Sequence, residues 1–146
     1  MSGRRLVLAF AAFLLVFAAA LTWTQLFAYY ERQRGVAALD VGGQPLPVAD
    51  YDGIAAASSP LKLRACLRLD PAALAGLPPA DDATPLNAPF WFRCFSARAI
   101  TRDLASGDAK AYRIAHDDPP GFDLMLAVYP DARGFLWRQL TGEYRD

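Results

Sequence analysis

The chain has 146 residues, 54% of them hydrophobic, with 15 Lys and Arg balancing 15 Asp and Glu. That length suits one modest domain plus a short extra segment. From Val36 onward 11 basic residues stand against 14 acidic ones, a net charge near −3, which argues against a nucleic-acid binder, since such a protein needs a basic face to neutralise phosphates.

Leu6 to Tyr30 is a run of 25 residues without a charge, and 12 of them are Leu, Val or Phe. As a helix it measures about 37 Å, enough to cross a hydrocarbon core of about 30 Å with modest tilt. The bilayer is therefore the first expected partner, reached through Leu6 to Tyr30. Arg4 and Arg5 precede the run, whereas Glu31 sits beside Arg32 and Arg34 after it, so the positive-inside rule leans toward the amino terminus in and the domain out. Trp23, Phe27, Tyr29 and Tyr30 cluster at the far end, where aromatic rings favour the headgroup layer. Two other readings stay open. Met1–Arg5, Leu6–Phe17 and Ala18–Ala20 can serve as the three parts of a cleaved signal peptide, and a buried soluble helix is a third reading, disfavoured by the lack of a polar face.

Past the anchor, Val36–Val41 and Gln44–Val48 flank Gly42-Gly43, which predicts a hairpin whose second arm, with Pro45 and Pro47, suits only an edge. Asp50–Pro60 reads as a loop. Leu61–Asp70 alternates Leu61, Leu63, Ala65, Leu67 and Leu69 with Lys62, Arg64, Cys66 and Arg68, the pattern of a strand buried on one side. Asp70-Pro71 starts a short helical turn that Gly76 can close. Leu77–Pro89, rich in Pro and Asp, reads as a surface loop. Phe90–Phe95 (FWFRCF) reads as a second buried strand, and Ser96 as the cap of a helix carrying Ile100 and Leu104 and ending at Gly107. Tyr112–Ala115, Phe122–Tyr129 and Phe135–Leu140 are three more strands, the last two joined by a loop whose final residue, Gly134, suits a bulged hairpin. The expected fold is α+β: a single N-terminal transmembrane helix, then a small, mainly antiparallel β domain with one or two short helices.

Cys66 and Cys94 are the only cysteines. Outside the cytoplasm oxidation is favoured, and a bridge closing 28 residues stabilises by about 3 to 4 kcal/mol in the chain-entropy model. Two unpaired thiols are the alternative; with no C-x-x-C spacing, disulfide-exchange chemistry has no support. His116, the sole histidine, precedes Asp117 and Asp118. One imidazole beside two carboxylates can bind a divalent cation or act as a base, yet Asp-Asp-Pro-Pro-Gly is also ordinary turn chemistry. Pairing His116 with Met125 as haem ligands is weaker still, there being no C-x-x-C-H. No G-x-S-x-G surrounds a serine and no phosphate loop is present, so neither a catalytic residue nor a cofactor is assigned. Of the aromatic residues, most belong to a core; Trp91 with Arg93 and Trp137 with Arg138 are candidate interface anchors.

The anchor, the segment from Tyr51-Asp52-Gly53-Ile54 to Ser58-Ser59-Pro60, Phe92-Arg93-Cys94-Phe95 and the closing Gly134-Phe135-Leu136-Trp137-Arg138-Gln139 together resemble a family of small single-pass proteins of alphaproteobacteria that carry a domain of unknown function. The resemblance implies a bacterial inner-membrane topology: residues 1–5 in the cytoplasm, 6–30 in the bilayer and 31–146 in the periplasm. It makes both cysteines part of the pattern and supplies no catalytic residue. The functional expectation is a domain that binds other membrane or periplasmic proteins as an accessory or assembly factor. A membrane-tethered metal-handling or enzymatic domain centred on His116 is the alternative.

Overall fold

The computed structural model describes residues 2–144. They divide into two compact units that meet between Tyr30 and Glu31. The first is built on helix α1 (Gly3–Leu26), none of whose side chains is buried. It is long and apolar enough to cross a membrane, with a mean hydropathy of 2.5 over its most apolar stretch. The helix starts ahead of Leu6 and stops before Tyr30. At Phe27 the backbone leaves helical geometry (φ −125°), and the Phe27 and Ala28 N–H groups both donate to the Trp23 carbonyl. Phe13 with Phe17 and Trp23 with Phe27 stack one turn apart.

The second unit contains all but the first residue of strand β1 (Tyr30–Arg34), then strands β2 (Ala38–Val41), β3 (Gln44–Pro47), β4 (Ala49–Ala56) and β5 (Ser59–Arg68). A 3-10 turn (Pro71–Leu74), helix α2 (Ala97–Ser106), and strands β6 (Lys110–Ala115), β7 (Phe122–Val128) and β8 (Arg133–Leu140) follow, and a last 3-10 turn (Gly142–Tyr144) ends the described chain. Six strands form one sheet in the order β1-β4-β5-β8-β7-β6, with β2 and β3 paired as a separate hairpin. The β4–β5, β5–β8, β8–β7 and β7–β6 pairings are antiparallel. This is the α+β architecture expected.

Local signals explain most elements. Gly42 and Gly43, both at positive φ, close the β2–β3 hairpin. The Asp70 carboxylate accepts from Ala72 N, and the Ser96 hydroxyl from Ala99 N, satisfying amides that a helix start leaves open. Gly107 ends α2 at φ 85°.

Four expectations are corrected. Asp50–Pro60 is not a loop: it supplies most of β4 and the start of β5. The register shift between Ala49 and Asp52 and the positive φ of Asp50 break the alternation that marks a strand. Phe90–Phe95 is not a strand but a pair of turns, in which Phe92 and Phe95 bury their rings without a ladder. Finally, β5 is buried on both sides rather than one, because Arg64, on the face opposite Leu63, is itself buried. In the β7–β8 hairpin the left-handed residue is Ala132, not Gly134.

The sheet is therefore covered twice. On one face Leu63, Ala65, Leu67, Tyr112, Ile114, Leu126, Val128 and Leu136 form a core closed by Leu46 of the hairpin and Leu74 of the 3-10 turn. The other face carries Cys66, Met125, Phe135 and Trp137, and is covered by the Phe95 ring, edge-on to both Phe135 and Trp137. Residues 77–95, which hold no regular element, pass over this face as a strap.

Candidate functional site

The polar chemistry of the domain gathers under that strap. Asp123, one residue into β7 and 1% exposed, is the centre. Its Oδ2 accepts from Arg113 Nε at 2.9 Å, and its Oδ1 from the Asp117 amide at 3.0 Å. His116 Nδ1 lies 2.8 Å from the same Oδ1. Arg113, on the neighbouring strand β6, also reaches both carboxylate oxygens of Asp82 in the strap. Burial alone would raise the Asp123 pKa, but the Asp117 amide, Arg113 and His116 outweigh it and hold the carboxyl below its ordinary range.

An acceptor at Nδ1 makes that nitrogen the N–H donor of the neutral ring, which leaves Nε2 with its lone pair on an imidazole that is 69% exposed. A buried carboxylate orienting an exposed imidazole is an arrangement that can serve as a base or offer one nitrogen to a metal. It was missed in the sequence because Asp123 lies seven residues away, in a strand otherwise read as apolar.

The neighbours singled out with His116 do other work. Asp117, at φ 54°, accepts from Gly121 N, and Asp118 N donates to the Phe122 carbonyl. His116, Asp117 and Asp118 thus do not converge on one point, and among the described residues no three His, Cys, Asp or Glu side chains are grouped to hold a metal ion. Met125 is fully buried under the sheet face. A groove of about 550 Å³ between α2 and the strap, lined by residues such as Pro79, Leu104 and Ala109, includes no member of the Asp123 cluster.

Two further buried polar residues grip the strap. Arg64 donates to the carbonyls of Leu86 at 2.9 Å and Asn87 at 3.1 Å. Gln139 accepts from Thr84 N and from Trp137 Nε1, and donates to the Asp82 carbonyl. Cys66 of β5 and Cys94 of the strap form a disulfide with Cα atoms 6.3 Å apart. Cys94 is thus not in a strand, but the pairing accounts for a cysteine among the arginines of β5.

The interface candidates separate. Trp137 is wholly buried and belongs to the core; Arg138, adjacent in β8, points to the opposite face and is half-buried beside Tyr51. Trp91 is half-buried and edge-on to Phe92, and Arg93 is exposed.

Residues 36–144 match the model of a family of unknown function, DUF6446. The chain belongs to that family. The match spans the domain from the residues before β2 to the final 3-10 turn, so the expected kinship with an uncharacterised domain holds. No curated protein and no solved structure matches the chain.

Proposed function

We propose that this is a single-pass protein of a bacterial inner membrane, anchored by α1, whose DUF6446 domain lies in the periplasm and works by binding, as an accessory or assembly factor of a membrane complex. One observation carries the reading: an apolar helix with no buried side chain precedes, in the chain, a domain stapled by Cys66–Cys94. The helix needs lipid to cover it, and the disulfide suits an oxidising compartment. Binding is favoured because Arg64, Arg113, Asp82 and Gln139 are engaged in holding the strap to the sheet, which yields a rigid surface. Purification of the full chain in mild detergent tests this. A protein recovered with it at fixed stoichiometry, and recovering it in the reciprocal experiment, is the expected result; a chain that always emerges alone overturns the binding role. Protection of the domain from protease until the outer membrane is opened tests the topology.

A second reading has its own support. The Asp123–His116 pair presents an oriented ring nitrogen, as a metal-handling or hydrolytic domain would. A stoichiometric metal lost in His116→Ala would establish this reading in place of the first.

A further inference from the structure

Two arginines are drawn into β5 and β8, the middle strands of the sheet, and the fold treats them differently. Arg64, on the strap face of β5, donates to the carbonyls of Leu61, Leu63, Leu86 and Asn87. Arg138, on the core face of β8, has no such outlet. Its Nε is shut away from solvent without an acceptor, and none of the ion pairs among the described residues includes it. A guanidinium N–H withdrawn from water and left unbonded works against folding, so the fold alone does not account for this side chain.

Its neighbours say what it is placed to receive. Arg138 pairs with Leu124 across the β7–β8 register and, one step past the Arg64–Trp137 pair, stands next to Leu63 of β5. Tyr51 of β4 supplies a second donor. The far end of its ring lies over Gly53, where a Cβ would come within 2.8 Å of Tyr51 Cε1 and 3.1 Å of Cζ; a residue without a side chain at 53 is what lets the ring lie along the strand. The Arg138 guanidinium is near enough to oppose the rise that burial imposes on the Tyr51 pKa. Around the two donors the surface is apolar, with Leu63 buried and Ala55 and Leu124 only partly so. A carboxylate matches this arrangement, being planar and singly charged, with two oxygens for the flat fork of an arginine. A more highly charged phosphate suits it less, because the domain as a whole is already negative. A charged anchor set among partly covered apolar side chains is the make-up of the centre of a protein interface.

We infer that Arg138 and Tyr51 form the charged centre of a docking surface for a partner protein, which brings a carboxylate, from an Asp or Glu side chain or a chain terminus, to the guanidinium. The inference rests on the binding role proposed above and names the place where that role is exercised.

The test uses the full chain in neutral detergent, isotope-labelled at arginine nitrogen for NMR, with sodium propionate as the probe. Arg138→Met identifies the Nε–Hε signal of Arg138 by its loss. That variant should unfold in urea at the native midpoint or above it, because the charge it removes has no partner; a lower midpoint refutes the inference. With propionate the Arg138 signal should shift to saturation, at a concentration several-fold higher in Tyr51→Phe, while sodium chloride at equal ionic strength leaves it in place. A shift no larger than that of exposed Arg98, or saturation by inorganic phosphate at a lower concentration than by propionate, also refutes it. A protein that co-purifies equally with the native chain and with Arg138→Met overturns the inference and leaves the binding role intact. A chain that saturates with propionate yet always emerges alone removes the partner protein, and the binding role with it.

Discussion

Leu67 fills the space that a side chain on Gly134 would need: a Cβ at Gly134 would stand 2.6 Å from Leu67 Cδ1 and equally close to Leu69 Cδ2. Gly134 pairs directly with Leu67 across the β5–β8 register, and both leucines are buried, so neither can swing into solvent. Gly134→Ala should cost about 1 to 3 kcal/mol through overpacking. Combining it with Leu67→Ala should cost less than the sum of the two single changes. Urea unfolding in detergent, followed by tryptophan fluorescence, measures both, and strict additivity would refute the clash.

Asp123 and His116 should separate cleanly in stability. Asp123→Asn weakens the acceptor shared by Arg113, His116 and the Asp117 amide, and should cost about 1 to 3 kcal/mol. His116→Ala removes an exposed ring and should stay within about 0.5 kcal/mol. Comparable losses in the two variants would mean that the imidazole is structural.

The same carboxylate sets a pH dependence. Its folded pKa lies below the unfolded value, so the folded state binds fewer protons; its contribution to stability is present above about pH 4 and disappears as pH falls through the lower, folded pKa. The stability gap between the native chain and Asp123→Asn should therefore be widest near neutrality and narrow in acid. A gap independent of pH down to the acid transition would contradict the assignment.

Replacing Cys66 and Cys94 together by Ser should lower stability by about 3 to 4 kcal/mol, since the bridge closes a separation of 28 residues. Limited proteolysis should then cut first within residues 77–93. Protection of that segment equal to the native chain's would show that the side-chain contacts alone hold it.

Capping makes a smaller claim. Ser96→Ala removes the acceptor for Ala99 N at the start of α2 and should cost about 1 kcal/mol, readable as a lower urea midpoint with unchanged slope.

Where local chemistry decides structure, the chain was legible: the Gly42-Gly43 hairpin, the Leu61–Asp70 alternation, and the Ser96 and Gly107 ends of α2 all follow from nearest neighbours. The misses share one cause. A reading by alternation sends every polar or charged residue to solvent, so buried Arg64, Asp123 and Gln139 were invisible, and with them the polar centre of the domain. FWFRCF carries the composition of a strand, yet its Phe92 and Phe95 rings are buried from turns, because the opposing face offers Phe135 and Trp137 rather than a free strand edge. His116 was found by scarcity; its partner could only be found in three dimensions.

Part of the strap is held through its main chain: Arg64 and Gln139 bind carbonyls of residues 82, 86 and 87 and the amide of residue 84, groups that every amino acid supplies except for the N–H that proline lacks. Between Ala83 and Asn87 its route across the sheet is thus largely decoupled from the identity of its outward side chains. New surface chemistry can be written onto this segment one substitution at a time while Arg64, Gln139 and the bridge keep its course, which makes it the part of the domain best suited to acquiring a new partner without losing the fold.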